Sequence, residues 1–320
     1  MEPVDGWSFS SIKVLLAFSD KAGSLASGGI MCSMKLINMR SRLALTCFLV
    51  STCSAELHAQ PEDWSTPFPG HRVIGNLYAV GTHGLGVFLV TSGDGHILIN
   101  TGLESSAPLI RANIESVGFR LEDVKILLTM QAHWDHTAAL AEIKDITGAE
   151  MWATTDDARV LQDGGFSDPH FGGRESFAPV DVDKIISDGE VIELGDIRLQ
   201  VHEHPGHTEG SSSYSMQIDE NGRDYAVVVA NMGTINSGKK LVVDPTYEGV
   251  SDDFAETYRK QKAMRVDVWV AAHGAQYNLH DKYQPGQAYN PDTFVDPDGF
   301  LDEVTRLEGI YLDQLAAEEQ

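Results

Sequence analysis

Residues 131 to 136 read Gln131-Ala132-His133-Trp134-Asp135-His136, which puts His133, Asp135 and His136 within a few positions of one another. Two imidazoles and a carboxylate suit zinc, whose protein ligands are nitrogen, carboxylate oxygen and thiolate sulfur. One ion cannot easily take the adjacent Asp135 and His136 together with His133, whereas two neighbouring ions can. Two more histidines stand in comparable places, in His204-Pro205-Gly206-His207-Thr208 and in Ala271-Ala272-His273-Gly274. Each follows an apolar run. Singly, a histidine at a strand end is usually a satisfied core or loop residue. The joint pattern, three clusters each at the end of an apolar run, points to a metal centre.

Such a centre needs elements that carry distant residues to one place. The pattern before the first cluster, Val124 to Met130, is a continuous apolar strand, and a helix is expected from about Thr137 to Thr147. Upstream, Arg72–Gly81, Val87–Ser92 and His96–Asn100 are Gly-bounded apolar runs that read as antiparallel strands. Ser105–Val117 places Leu109, Ile110, Ile114 and Val117 on one helical face. Met151–Thr154 reads as a strand, and Ile185–His202 as two or three strands turning at Gly189 and Gly195. Ser211–Ile218 and Tyr225–Ala230 form an expected hairpin around Asp219–Arg223. A helix at Asp252–Lys262, a strand at Val266–Ala272 and a helix near Asp298–Ala317 complete the chain. Strands mixed with helices on this scale imply sheets covered by helices, an α/β or α+β sandwich. No repeat and no Pro/Ser-rich linker divides it.

The first sixty residues read differently. Met34-Lys35, Arg40 and Arg42 precede the apolar run Leu43–Cys53, and Leu57-His58-Ala59-Gln60 follows, the order of a secretory signal peptide. The run is shorter than the ~20 apolar residues that span a bilayer. Residues 1–33 are expected to be a non-native upstream extension, 34–59 the signal peptide, and 60–320 the working domain. Cys53 in Val50-Ser51-Thr52-Cys53 is a weaker lipoprotein alternative, with Thr52 a poor fit before the cysteine. The expected location is periplasmic or secreted. All three cysteines, Cys32, Cys47 and Cys53, lie before residue 60, so the domain has no thiolate to offer a metal or a carbonyl. The full chain of 320 residues carries 23 Lys+Arg against 47 Asp+Glu. A surface that acidic repels phosphate backbones and anionic lipid, so nucleic-acid binding and stable membrane association are not expected. A monomer acting on a small molecule is.

Together the metal clusters resemble the metallo-β-lactamase superfamily, over essentially all of residues 72–320. Its loop His-x-His-x-Asp-His stands here as Gln131-Ala132-His133-Trp134-Asp135-His136. With Pro205-Gly206-His207-Thr208 downstream, Gln in the first place resembles the Gln-ligand (GOB-type) branch of the subclass B3 metallo-β-lactamases. Gly75-Asn76-Leu77-Tyr78, Leu98-Ile99-Asn100-Thr101-Gly102, Ala230-Asn231-Met232, Ala272-His273 and Tyr289-Asn290-Pro291 match that branch too. The resemblance implies a single-domain, four-layer αββα sandwich with two zinc ions at the sheet edge. It implies one zinc site of Gln131, His133 and His207, and another of Asp135, His136 and His273. It also implies hydrolysis of the β-lactam amide by a metal-bound hydroxide that Asp135 orients as proton relay. The Ser10-x-x-Lys13 spacing of serine β-lactamases lies ahead of the working domain and is read as chance.

Three departures from the superfamily pattern carry expectations. Gln131 offers a neutral amide oxygen, so its zinc site is expected to be the weaker one, unless Gln131 only hydrogen-bonds behind the ligands. Asn100 stands where much of the superfamily has Asp, either as a neutral acceptor behind the ligands or as a plain turn residue. Met232 takes the place of a hydroxyl near the second metal, and packing is its expected role. Thr234, Lys239 and Lys240 are candidates for binding a substrate carboxylate, although lysines in a Gly-flanked loop are commonly just solvated. His204, beside the second cluster, is expected behind the ligands or at the surface. The alternatives are another hydrolase of the same fold, a lactonase or glyoxalase-II-like thioesterase, and a non-catalytic zinc-binding protein.

Overall fold

Alternation along the strands decides the layering. In β3 (Phe88–Ser92), β4 (Gly95–Ile99) and β5 (Val124–Leu128), the residues Phe88, Val90, Ile97, Ile99, Ile126 and Leu128 enter one core, while Leu89, Leu98 and Leu127 enter another. A sheet with apolar side chains on both faces must be covered on both. Residues 61–320 are described here, in a computed structural model; the leader and upstream extension inferred from the sequence lie outside them.

The first sheet runs β1 (His71–Ile74), β2 (Leu77–Ala79), β3, β4, β5, β6 (Glu150–Ala153) and β7 (Lys184–Ile185), in that order. Pairing is antiparallel as far as β4 and parallel from β4 to β7. Arg72–Gly81, expected as one strand, is two, because Gly75 at φ +52° turns the chain back. The second sheet orders β12 (Val268–Ala271), β11 (Arg223–Ala230), β10 (Ser212–Glu220), β9 (Ile197–Glu203) and β8 (Val191–Leu194).

Helices α1 (Ala107–Ser116), α3 (Leu140–Thr147) and α4 (Thr155–Asp163) cover the outer face of the first sheet through Ile110, Ile114, Leu140, Ile143 and Leu161. On the other side α5 (Val250–Ala263) and α7 (Pro297–Glu318) add Phe254, Tyr258, Val304, Leu307 and Tyr311 to the core between and beyond the sheets. The result is the expected αββα sandwich, in one domain. Two single-turn helices, α2 (Trp134–Thr137) and α6 (Leu279–Lys282), sit in loops. The α4 helix was not foreseen. Among the described residues no helix is long and apolar enough to cross a membrane.

Strand direction sets where the chemistry goes. β9 and β11 both pair antiparallel with β10, and β11 pairs parallel with β12, so β9, β11 and β12 end on one side. The parallel β4 and β5 end there as well. Ser212 N donates to Met130 O at 2.8 Å and Gly86 N to Ala272 O at 2.8 Å, tying the two sheets together along that edge.

Candidate metal centre

Each metal-capable cluster leaves a strand at this edge. After β5 the chain is pinned before it reaches Gln131: Asn100 Oδ1 accepts from Met130 N at 2.9 Å, and Tyr214 OH donates to Thr129 O at 2.7 Å. The turn into α2 is then closed by His136 N to His133 O at 3.0 Å and Thr137 Oγ1 to His133 O at 2.7 Å. That single helical turn swings Asp135 and His136 away from His133. It is the local reason that the cluster divides into two sets.

One set is Asp135, His136 and His273, whose ligand atoms lie within 4.8 Å of one another. Asp135 Oδ2 is 3.1 Å from His136 Nε2 and 3.5 Å from His273 Nε2. Burial pushes the Asp135 carboxyl up, but the imidazoles of His136, His273 and His133 outweigh it and hold the group well below the usual carboxylate range. His273 is pulled down to about 4 by burial and by His136, which keeps its imidazole neutral, the form a metal requires. The His273 side chain is 24 % exposed, against 0 % for His136, so the set opens to solvent on the His273 side.

The other set gathers around His133 and His207. His133 Nδ1 lies 3.1 Å from His207 Nε2. His207 Nδ1 is 2.7 Å from Thr234 O, an acceptor, so the ring proton sits on Nδ1 and Nε2 bears a lone pair. His133 Nε2 faces Asp168 Oδ2 at 3.2 Å. The two buried imidazoles therefore stand nitrogen to nitrogen, each with its other nitrogen turned to an oxygen. Two nitrogens each ~2.1 Å from one tetrahedral ion would be about 3.4 Å apart, close to this spacing. Gln131 is buried, and its Oε1 has no hydrogen-bond partner, as a carbonyl oxygen reserved for a cation would. The donor set fits a second metal position.

The residues expected behind the ligands are placed as follows. Asn100 adopts φ +65°, and its carbonyl oxygen serves Met130 N, while its Nδ2 donates to Gly86 O at 3.1 Å and lies 3.4 Å from His136 Nδ1. It thus turns its amide nitrogen, and not an acceptor, toward His136. Met232 is buried in the core between the sheets. His204 is buried, with Nδ1 2.7 Å from Ser213 Oγ, and burial pulls it down to about 3.

The two lysines are placed differently. Lys239 is 2 % exposed and donates to Gly206 O at 2.9 Å and His207 O at 2.7 Å, and burial draws its pKa down to about 8. Lys240 faces outward and pairs with Asp244 at 3.0 Å. Thr234 does reach the centre, but as the partner of His207: its Oγ1 lies 2.9 Å from the same Nδ1.

Three residues the sequence reading missed complete the surroundings. Asp168 sits in the irregular stretch between α4 and β7. Burial raises its carboxyl, yet the His133 contact and the N–H groups of His170 and Phe171 bring it down to about 2. Asp157, on α4, is buried under the Thr208–Gly210 turn, and burial pushes it up to about 7. Trp64 packs on the rim, 5.5 Å from the Trp134 ring and 5.3 Å from the His273 ring. Thr154 ahead of the Asp156-Asp157 pair is a helix-start signal that would have found α4. Nothing in the sequence marks Asp168 or Trp64.

The sequence and the fold are shared with known proteins. Residues 87–220 match the family model of the metallo-beta-lactamase superfamily. The metallo-β-lactamase GOB-18 of Elizabethkingia meningoseptica is 39% identical, with 81% of this chain and 96% of that one covered at a TM-score of 0.79. The class B3 di-zinc metallo-β-lactamase LRA-12, from an Alaskan soil metagenome, is 43% identical, with 80% and 98% covered at 0.78. A hydroxyacylglutathione hydrolase of Bradyrhizobium sp. (strain BTAi1) is 30% identical over 115 residues, 36% of each chain. The present chain thus spans about a third of that relative's length.

Proposed function

The chain belongs to the metallo-β-lactamase superfamily, and we propose that it is a zinc-dependent hydrolase that opens the amide bond of β-lactam antibiotics. The observation that carries this reading is the buried 3.1 Å approach of His133 Nδ1 and His207 Nε2 beside the Asp135–His136–His273 set. Burial holds the His207 imidazole well below its usual pKa, in the neutral form that binds a metal. Likeness to B3 enzymes over nearly their whole length supports the substrate class.

Gln131, His133 and His207 would hold one zinc ion, and Asp135, His136 and His273 the other. The ions would supply Lewis acidity toward the substrate carbonyl and lower the pKa of water. Asp135 supplies the base: held ionised and 10 % exposed, it takes a proton from the water that attacks the carbonyl carbon. As the C–N bond breaks, the same proton passes to the ring nitrogen, giving a secondary amine and a carboxylic acid, which loses its remaining proton to solvent. Trp64 offers an apolar wall at the mouth. No side chain becomes covalently attached to the substrate.

The direct test is ring opening of a penicillin, a cephalosporin and a carbapenem by the purified protein, with and without a chelator. Chelator-sensitive turnover of at least one is expected; none would overturn the reading. The match to a hydroxyacylglutathione hydrolase favours a thioesterase as the second reading. Chelator-sensitive cleavage of an acyl-glutathione thioester, with all three antibiotics left intact, would establish it. The protein would be a periplasmic monomer that protects its host from these drugs. Amino-terminal sequencing of secreted material should find a chain starting near Gln60, and a start at Met1 would refute export through residues 34–59.

A further inference from the structure

Outside the ligand loops, the feature that stands apart is Lys239, a buried ammonium with no carboxylate in contact. A lysine is almost never fully buried without an acidic partner. Its hydrogen-bond acceptors are the two backbone carbonyls of Gly206 and His207. The same segment, residues 232–241, also supplies Thr234 O to the His207 ring. One stretch of chain thus holds His207 by its main chain and by its imidazole.

That hold is needed because of how His207 is presented. Gly206 takes φ +120°, and a Cβ there would come within 2.8 Å of the Phe254 ring, so the turn is tight and glycine is required. Beyond Lys239 the segment is fastened to the end of α7. Gln314 Nε2 donates to Lys239 O at 2.7 Å, and Glu318 Oε2 accepts from Leu241 N and Val242 N, both at 2.8 Å. The α7 helix is itself locked on the core by Tyr311, whose ring lies 5.6 Å from that of Tyr258.

We propose that Lys239 is a positioning residue for the Gln131–His133–His207 metal position, and that the last turns of α7 fix it there. The proposal rests on the dinuclear reading above. With a neutral amide as one of its three protein ligands, that position depends on how firmly His207 is aimed. Lys239 and Thr234 aim it, and Gln314 and Glu318 hold the segment they come from. His273 is held through its main chain, with its N–H donating to Gln276 Oε1 at 3.1 Å and a bridge to Leu85, while its ring meets Trp64 at a partly open rim.

Stepwise zinc titration against a chromophoric chelator tests this without reference to turnover. Wild type should bind two ions, and His207→Ala should erase one step, which identifies the first position. Lys239→Met should weaken that same step by roughly 10- to 100-fold, the usual effect of losing a partner behind a metal ligand, and leave the other step unchanged. Gln314→Met, which removes only the tether to α7, should weaken the same step by a smaller factor. It decides the matter if Lys239→Met does not fold. A residue that merely stabilised the fold would weaken both steps together or neither. Wild-type affinity at both steps in these variants overturns the clamp alone. A wild type that binds fewer than two ions overturns the dinuclear reading and the clamp with it.

Discussion

His133 and His207 face each other nitrogen to nitrogen at 3.1 Å, while their other ring nitrogens are turned to Asp168 and to Thr234 O. A carboxylate and a carbonyl accept protons and offer none, so each orients the ring it faces. Gln131, two residues before His133, is buried with an oxygen that has no partner, and a neutral amide is the weakest donor type among these residues.

Replacing that donor is the first prediction. Gln131→His exchanges a neutral amide oxygen for an imidazole, a stronger zinc ligand, in a pocket where the present side chain is 2 % exposed. Zinc affinity at the first position should rise by about tenfold or more, with the Asp135–His136–His273 step unaltered. Unchanged stoichiometry and affinity in the titration would show that Gln131 does not touch the metal.

Asp168 should matter almost as much as a ligand. Asp168→Ala leaves His133 Nε2 without its carboxylate and frees the ring to turn or to change tautomer. Affinity at the first position should fall by roughly 10- to 100-fold. Asp168→Asn keeps an oxygen acceptor and should recover part of the loss, a graded response that simple unfolding of the loop would not give.

Residues set by strand ends were legible in the sequence, and residues set by loops were not. His133, His207 and His273 could be placed because each follows an apolar run whose direction the sheet dictates. Asp168 could not, because residues 164–183 have neither period, and its contact with His133 comes from two N–H groups of its own turn. Lys239 read as a solvated loop lysine because its neighbours Ser237, Gly238 and Lys240 are polar or small. Burial came from the Gly206–His207 turn and from Phe254, Tyr247 and Gln314, which no local pattern reports. Helix α4 escaped because Thr155–Asp163 has three aspartates and only Ala158, Val160 and Leu161 as buried apolar residues. Its Thr154 and Gly164 boundaries were the usable signal.

Trp64 bears on substrate more than on metal. Its ring packs against those of Trp134 and His273 at the open side, and it contributes no ligand atom. In Trp64→Ala the lost apolar wall should cost about 1 kcal/mol, roughly fivefold in KM, with kcat and zinc affinity little changed. A fall in kcat with KM constant would mean that Trp64 acts by holding His273.

Asp157 gives the centre's scaffold a pH dependence of its own. Burial is the largest influence on its carboxyl and raises it, with Asp168 adding to the rise; the Thr208 hydroxyl and Gly210 N–H offset part of it, leaving a folded value of about 7 against 3.8 for an unperturbed group. Between these two values the folded chain keeps the proton and the unfolded chain gives it up. Folding then takes up a proton, so stability falls as pH rises through that window and levels off above about 7. The full difference is at most about 4 kcal/mol, and relaxation of the turn would reduce it. Asp157→Asn removes the titration and keeps an acceptor for Gly210 N–H. Denaturation of the metal-free proteins at about pH 4 and about pH 8 isolates the effect, because the other carboxylates titrate alike in both. The variant should gain on wild type as pH rises. Parallel stability profiles would mean that Asp157 is ionised throughout and that the turn above it solvates the charge.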